Sequence, residues 1–153
     1  MSNLLPVPFK PQLAEGYCLP ACAEMVLAFY GIRITQEQLA RLFETQPPMG
    51  TPFPRIMRLE KRGVSVEIGK YGDWDQLSTV LTSGKPCIVA VDLLFMPYAQ
   101  IDSRHVVVVI GCDANAAFVF DPAESAEAIS VAKDGFIAAW TEMECSYAII
   151  YPN

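Results

Sequence analysis

From Cys18 to Tyr30 the side chains of Cys22, Met25, Val26, Phe29 and Tyr30 return to one face at about 3.6-residue spacing, and Gly31 follows them. That period predicts an amphipathic helix, buried on one face and stopped by the glycine. Thr35, with Gln38 three residues on, stands ahead of Leu39, Leu42 and Phe43. This is the pattern of a capping box, so a second helix should follow a short turn. Gln46 to Pro54 holds four prolines and a glycine, which fits a surface excursion. A third helix is expected from Pro54, carrying Ile56, Met57 and Leu59 and stopping at Gly63.

Beyond Gly63 the period changes. Val64 to Ile68 alternates, while Cys87 to Asp92 and His105 to Ile110 are β-branched runs. Ala117 to Phe120 follows the turn residues Asp113, Ala114 and Asn115, and Ala128 to Val131 and Cys145 to Tyr151 read as two more strands. A helix from Asp73 to Ser83, capped by Asp73 and closed by Gly84 and Pro86, interrupts the strands, and a short one lies around Phe136 to Trp140. Helices first and strands later is an α+β pattern. The expectation is one unit over residues 1–153, with an N-terminal helical lobe packed on a C-terminal antiparallel sheet.

Composition narrows the function classes. With 153 residues, 52% of them apolar and 18% charged, the chain can bury a core and is not disordered. A net charge of -6 argues against a phosphate-neutralising face, so no nucleic acid partner is expected. No apolar run approaches the roughly 20 residues that span a bilayer. Met1 to Gln12 holds three prolines and no basic segment leading into an apolar one, so it does not read as a secretory signal, and a cytoplasmic chain is expected. Five scattered cysteines, an odd number, make no disulfide framework and are expected as thiols.

One thiol has a special address. Cys18 falls on the first turn of the predicted buried helix, where unpaired N–H groups and the positive end of the helix dipole favour a thiolate. Pro20, just inside the helix, has no N–H to lose there. A thiolate nucleophile needs a basic partner, and the chain has a single histidine, His105, at the head of its strand. A hairpin between this strand and the next would bring Asp121 back to the level of His105, where a carboxylate can orient the ring. Gln12, in the Pro-rich approach to Cys18, can donate its amide to a developing oxyanion beside the backbone N–H of Cys18. Each residue alone has an ordinary explanation: a small buried thiol, a satisfied edge histidine, a turn aspartate, a solvated glutamine. Their combination carries the chemistry.

The same residues, in order, resemble the papain-like cysteine peptidases of the C39 type, the bacteriocin-processing or double-glycine leader peptidases. The resemblance lies in Gln12 and, six residues on, Cys18-Leu-Pro-Ala-Cys22, then Phe29-Tyr30-Gly31, Gly50-Thr51, Gly63-Val64, Pro86, His105 to Gly111 and Asp121-Pro122-Ala123. It implies that Cys18 attacks the scissile carbonyl, His105 exchanges the proton, Asp121 orients His105 and Gln12 helps form the oxyanion hole. It also implies a peptide precursor cut after a small-residue pair of the Gly-Gly type, with no metal and no cofactor. A preference for small residues needs a narrow cleft, for which Tyr17, Leu19 and the loop from Leu93 to Arg104 are the candidate lining. Where the family usually has Asp-Cys-Gly this chain has Tyr17-Cys18-Leu19, which bears on substrate choice. Such domains often form the N-terminus of an exporting ABC transporter, so the chain is expected to be a free-standing peptidase or an excised domain with a transporter as partner.

Three rival readings stay open on sequence. Cys18 and Cys22, with His105 and one of Cys87, Cys112 or Cys145, make a candidate metal set. A papain-like cleft without turnover would be a peptide-binding module. An acyl-enzyme resolved by an amine instead of water would be a peptidyl transferase.

Overall fold

The computed structural model of the chain describes residues 3–152. Residues 1, 2 and 153 of the expected unit lie outside the described residues. Four α-helices are seen among the described residues: α1 (Cys18–Phe29), α2 (Gln36–Phe43), α3 (Trp74–Thr82) and α4 (Lys133–Thr141). The strands are β1 (Ser65–Gly69), β2 (Cys87–Asp92), β3 (Arg104–Cys112), β4 (Ala116–Phe120), β5 (Ile129–Ala132) and β6 (Tyr147–Tyr151). They form one antiparallel sheet in the order β1-β6-β2-β3-β4-β5. The architecture is α+β, as the change of period predicts.

Local chemistry explains most boundaries. The Thr35 side chain accepts from Gln38 N while the Gln38 side chain accepts from Thr35 N, completing the capping box of α2. Asp73 caps α3 by accepting from Gln76 N at 2.8 Å. Asp113 Oδ1 takes the N–H groups of both Asn115 and Ala116, closing the tight turn between β3 and β4. The expected third helix is a 3-10 helix over Phe53–Arg62. Its apolar positions Phe53, Ile56 and Leu59 are spaced by three, and in a 3-10 helix residues i and i+3 eclipse on one face. Arg55 and Arg58 donate from it to the last carbonyls of α2, at Phe43, Glu44 and Leu42. The last strand starts at Tyr147 instead of Cys145, because Glu144 and Cys145 form a turn with positive φ.

The strand patterns also report where each strand lies. β1 alternates and sits at an edge, whereas β2 as far as Val91 and most of β3 are apolar and sit in the middle. A strand with both faces apolar needs cover on both sides. One core joins α1, α2 and the 3-10 helix to Val106, Val108 and Ile110 of β3. The other joins α3 and α4 to Val107 and Val109 on the reverse face. The N-terminal helices thus form the lobe expected on one face of the sheet, and α3 and α4 cover the other.

Candidate active site

Residues 11 to 17 deliver Cys18 to the end of the sheet. Gln12 N donates to Pro122 O at 2.9 Å, tying this approach to the residue after Asp121. Gln36, the first residue of α2 and only 2% exposed, accepts from Leu13 N at 2.8 Å and donates to Pro11 O at 3.0 Å. It grips the backbone on both sides of Gln12. The turn passes through Gly16 at φ +85°, where a Cβ would come within 2.9 Å of Gly50 N and Pro48 O. The loop after α2 thus backs directly onto the turn that precedes Cys18. No side chain caps α1 at Tyr17, so the positive end of the helix opens onto the half-buried Cys18.

His105 and Asp121 reach the same place from the sheet. In β3 and β4, Val108 pairs with Phe120, so continuing the register sets Asp121 opposite Val107, diagonal to His105 and on its face. His105 Nε2 meets Asp121 Oδ1 at 2.5 Å, with His105 9% and Asp121 1% exposed. With Nε2 committed to the carboxylate, Nδ1 is the ring nitrogen left over, and the Cys18 thiol is near enough to the imidazole to act on its charge. The structure thereby brings together three of the residues marked in the sequence, in the order thiol, imidazole, carboxylate.

The electrostatics follow from this contact. Burial on its own would push His105 down, but the hydrogen bonds and charges of Asp121 and Cys18 outweigh it and push the ring up to about 10. Burial would raise Asp121, yet the His105 hydrogen bond and charge, the Tyr98 hydroxyl and the Ala123 N–H hold it below the ordinary carboxylate value. A buried ion pair is the consequence: imidazolium against carboxylate.

Gln12 is half-buried in the approach segment. Its Nε2 donates to Ala14 O at 3.2 Å, while its Oε1 is buried without a hydrogen-bond partner. Tyr17 is half-buried at the start of α1, beside Cys18. Leu19 corrects the expectation for it: at 1% exposure its side chain packs into the core under α1, so it does not line a groove. The helix period explains this, since the residue after Cys18 is turned about 100° away from it. Tyr98 is the site residue that sequence reasoning does not reach. Its hydroxyl donates to Asp121 Oδ2 at 2.6 Å across 23 residues of chain, and an aromatic in an irregular loop carries no local signal for such a contact. Gln36 escapes notice for the same reason, reading as an ordinary first-turn residue.

The candidate metal set is not assembled. Cys22 is buried one turn below Cys18 and donates its thiol to Val106 O, and burial holds it well above the ordinary thiol value. Among the described residues no three His, Cys, Asp or Glu side chains gather to hold an ion. A cavity of about 350 Å³, lined in part by Leu5, Leu81, Gly111 and Cys112, lies at the opposite end of β3 from His105. It has no part in this chemistry.

Scaffold and side-chain order together place the fold in the papain-like class. The sequence matches the Peptidase_C39 like family over residues 4–148, and the chain belongs to that family. The membership supports a peptidase role. A Bacillus anthracis protein described as C39-like peptidase superposes with a TM-score of 0.80 at 17% identity, over 100% of this chain and 98% of that one. A double glycine motif protease from an AMS/PCAT transporter, in complex with the leader peptide, gives 0.74 at 20% identity over 99% and 95%. The peptidase domain of Streptococcus ComA, a bi-functional ABC transporter involved in a quorum sensing pathway, gives 0.72 at 23% over 96% and 99%. At these identities the structural likenesses speak for the fold. Comparison with curated protein sequences finds no match. Among the described residues no helix is long and apolar enough to cross a membrane.

Proposed function

We propose that the chain is a cysteine endopeptidase in which Cys18 is the nucleophile, His105 the acid and base, Asp121 the group that orients His105, and Gln12 an oxyanion donor. The observation that carries this reading is the buried His105–Asp121 pair, with the Cys18 thiol acting on the same ring from an uncapped helix start. Sulfur attacks the scissile carbonyl carbon, and the oxyanion that forms is met by the Cys18 N–H and the Gln12 amide. The proton of the His105 imidazolium passes to the leaving nitrogen, the C–N bond breaks, and an S-acyl enzyme remains. Water gives a proton back to His105 as its oxygen attacks the thioester, and the carboxylate product leaves with the thiolate restored.

The substrate in this reading is a peptide or leader-peptide precursor cut after a small-residue pair of the Gly-Gly type, with Tyr17 at the cleft. Exposed apolar side chains support an extended apolar peptide. Leu13 lies in the approach to Cys18, and Phe95 and Ile101 lie in the loop that leads to His105. An ABC transporter is the proposed partner for a domain of this kind. A library of peptides differing before the scissile bond checks the specificity, and a preference for a large residue there would contradict it. Cys18→Ala should abolish cleavage of any substrate found while leaving the melting transition in place. Retained activity in that variant would end the proposal.

A further inference from the structure

Asp121 has two oxygens, and only one faces His105. Oδ1 receives the ring Nε2 and also the N–H of Ala123 at 2.9 Å; Oδ2 receives the Tyr98 hydroxyl at 2.6 Å. We propose that Tyr98 is a positioning residue of the site: its phenol clamps the far oxygen of Asp121, so that the near oxygen stays on Nε2 and the imidazole keeps Nδ1 toward Cys18. The proposal rests on the peptidase reading and adds a fourth side chain to its hydrogen-bond relay.

The geometry around Tyr98 suits a clamp. Tyr98 lies between β2 and β3, in the loop that ends at Ser103, two residues before His105. Met96, two residues earlier, is fully buried and anchors the loop in the core beneath α4, and Leu93 N donates to Ser103 O at 2.9 Å across the loop's base. Ala99 N and Gln100 N both return to Met96 O, winding a turn around the tyrosine. The phenol is thus held from the chain side, and its hydroxyl has the carboxylate as its partner. A carboxylate that is 1% exposed has little water to satisfy an oxygen the protein leaves bare. Without the hydroxyl, Asp121 would gain by turning Oδ2 toward another donor, and that rotation takes Oδ1 off the ring.

His105 is the only histidine in the chain, so its ring signals need no assignment. The experiment compares wild type with Tyr98→Phe, which keeps the ring and its packing, in protein labelled with ¹⁵N-histidine. In wild type the Nε2 proton should resonate far downfield and exchange slowly with water at neutral pH. In Tyr98→Phe it should move upfield and broaden, and the iodoacetamide alkylation rate of Cys18, followed by peptide mass, should fall about tenfold. A melting temperature within a few degrees of wild type accompanies that result. An Nε2 proton unchanged in position and exchange overturns the clamp. Should Tyr98→Phe not fold, wild type containing 3-fluorotyrosine, a stronger donor, takes its place. The same proton signal then shifts if the phenol is coupled to the ring, and an unmoved signal overturns the proposal. The two readings fail separately: a wild-type Cys18 no more reactive than Cys112 or Cys145 overturns the peptidase, whereas the ring signal judges Tyr98 by itself.

Discussion

Asp121 keeps its charge in a nearly dry place because three donors converge on it, from His105, Tyr98 and Ala123. The gain from each is large only because the others have already displaced water. Gln12 stands at the other extreme. Its amide makes one 3.2 Å hydrogen bond to a backbone carbonyl through nitrogen, and its oxygen makes none. A side chain held that loosely at its tip can turn its N–H groups toward a charge that exists only during the reaction. Its backbone is fixed independently, through Pro122 and through the grip of Gln36. Gln12→Ala should therefore lower kcat by about two to three orders of magnitude with KM little changed. Steady-state kinetics on a cleavable peptide measure this, and a loss under tenfold would reduce Gln12 to a bystander.

At the scale of elements, the placing of the thiol depends on how the chain enters α1. Gly16 has both a left-handed backbone and backbone atoms in the way of a side chain, at 2.9 Å from Gly50 N and Pro48 O. Gly31, after the same helix, has a similar φ of +78° but nothing within 4 Å of its missing Cβ. Gly31→Ala should cost only the backbone penalty, about 1–2 kcal/mol. Gly16→Ala carries the same penalty plus a collision that no rotamer relieves, so urea denaturation should show the larger loss there. It should also slow alkylation of Cys18, because the turn and the loop behind it must part, whereas Gly31→Ala should leave the thiol's reactivity alone. Equal stability losses in the two variants would show that the loop yields without strain.

For the whole molecule, the ion pair links stability to pH. His105 is raised, so its contribution is complete below its ordinary value of 6.5 and is lost as pH climbs through about 10. Asp121 is lowered, so its contribution is complete above its ordinary value of 3.8 and is lost as pH drops through its folded value. Both contributions are whole only between 3.8 and 6.5. Unfolding free energies measured in steps of pH should decline above that window, by at most about 1.4 kcal/mol per pH unit for one proton. His105→Asn should flatten the decline; an equally steep fall in that variant would assign it to other groups.

Much of this was legible one segment at a time. The capping box at Thr35, the apolar face of α1, the doubly apolar central strands and the thiol at a helix start are local patterns, set by residues within a few positions of one another. That Asp121 faces His105 is not local. Between Val109 and Gly111 the pairing of β3 with β4 shifts by one residue, through a bulge at Ile110. Side chains alternate across a sheet, so without that one extra residue Asp121 would stand opposite Val108, on the face away from His105. The N-terminal segment holds the bulge, with Leu5 N donating to Ile110 O at 2.8 Å and Leu4 packed where a side chain at Gly111 would go. The residue types of the site and the elements that carry them were determined by the sequence alone. Which face the carboxylate takes, which tyrosine clamps it and where Leu19 points were decided only by tertiary structure, because each depends on a register or a contact between segments that no local pattern encodes.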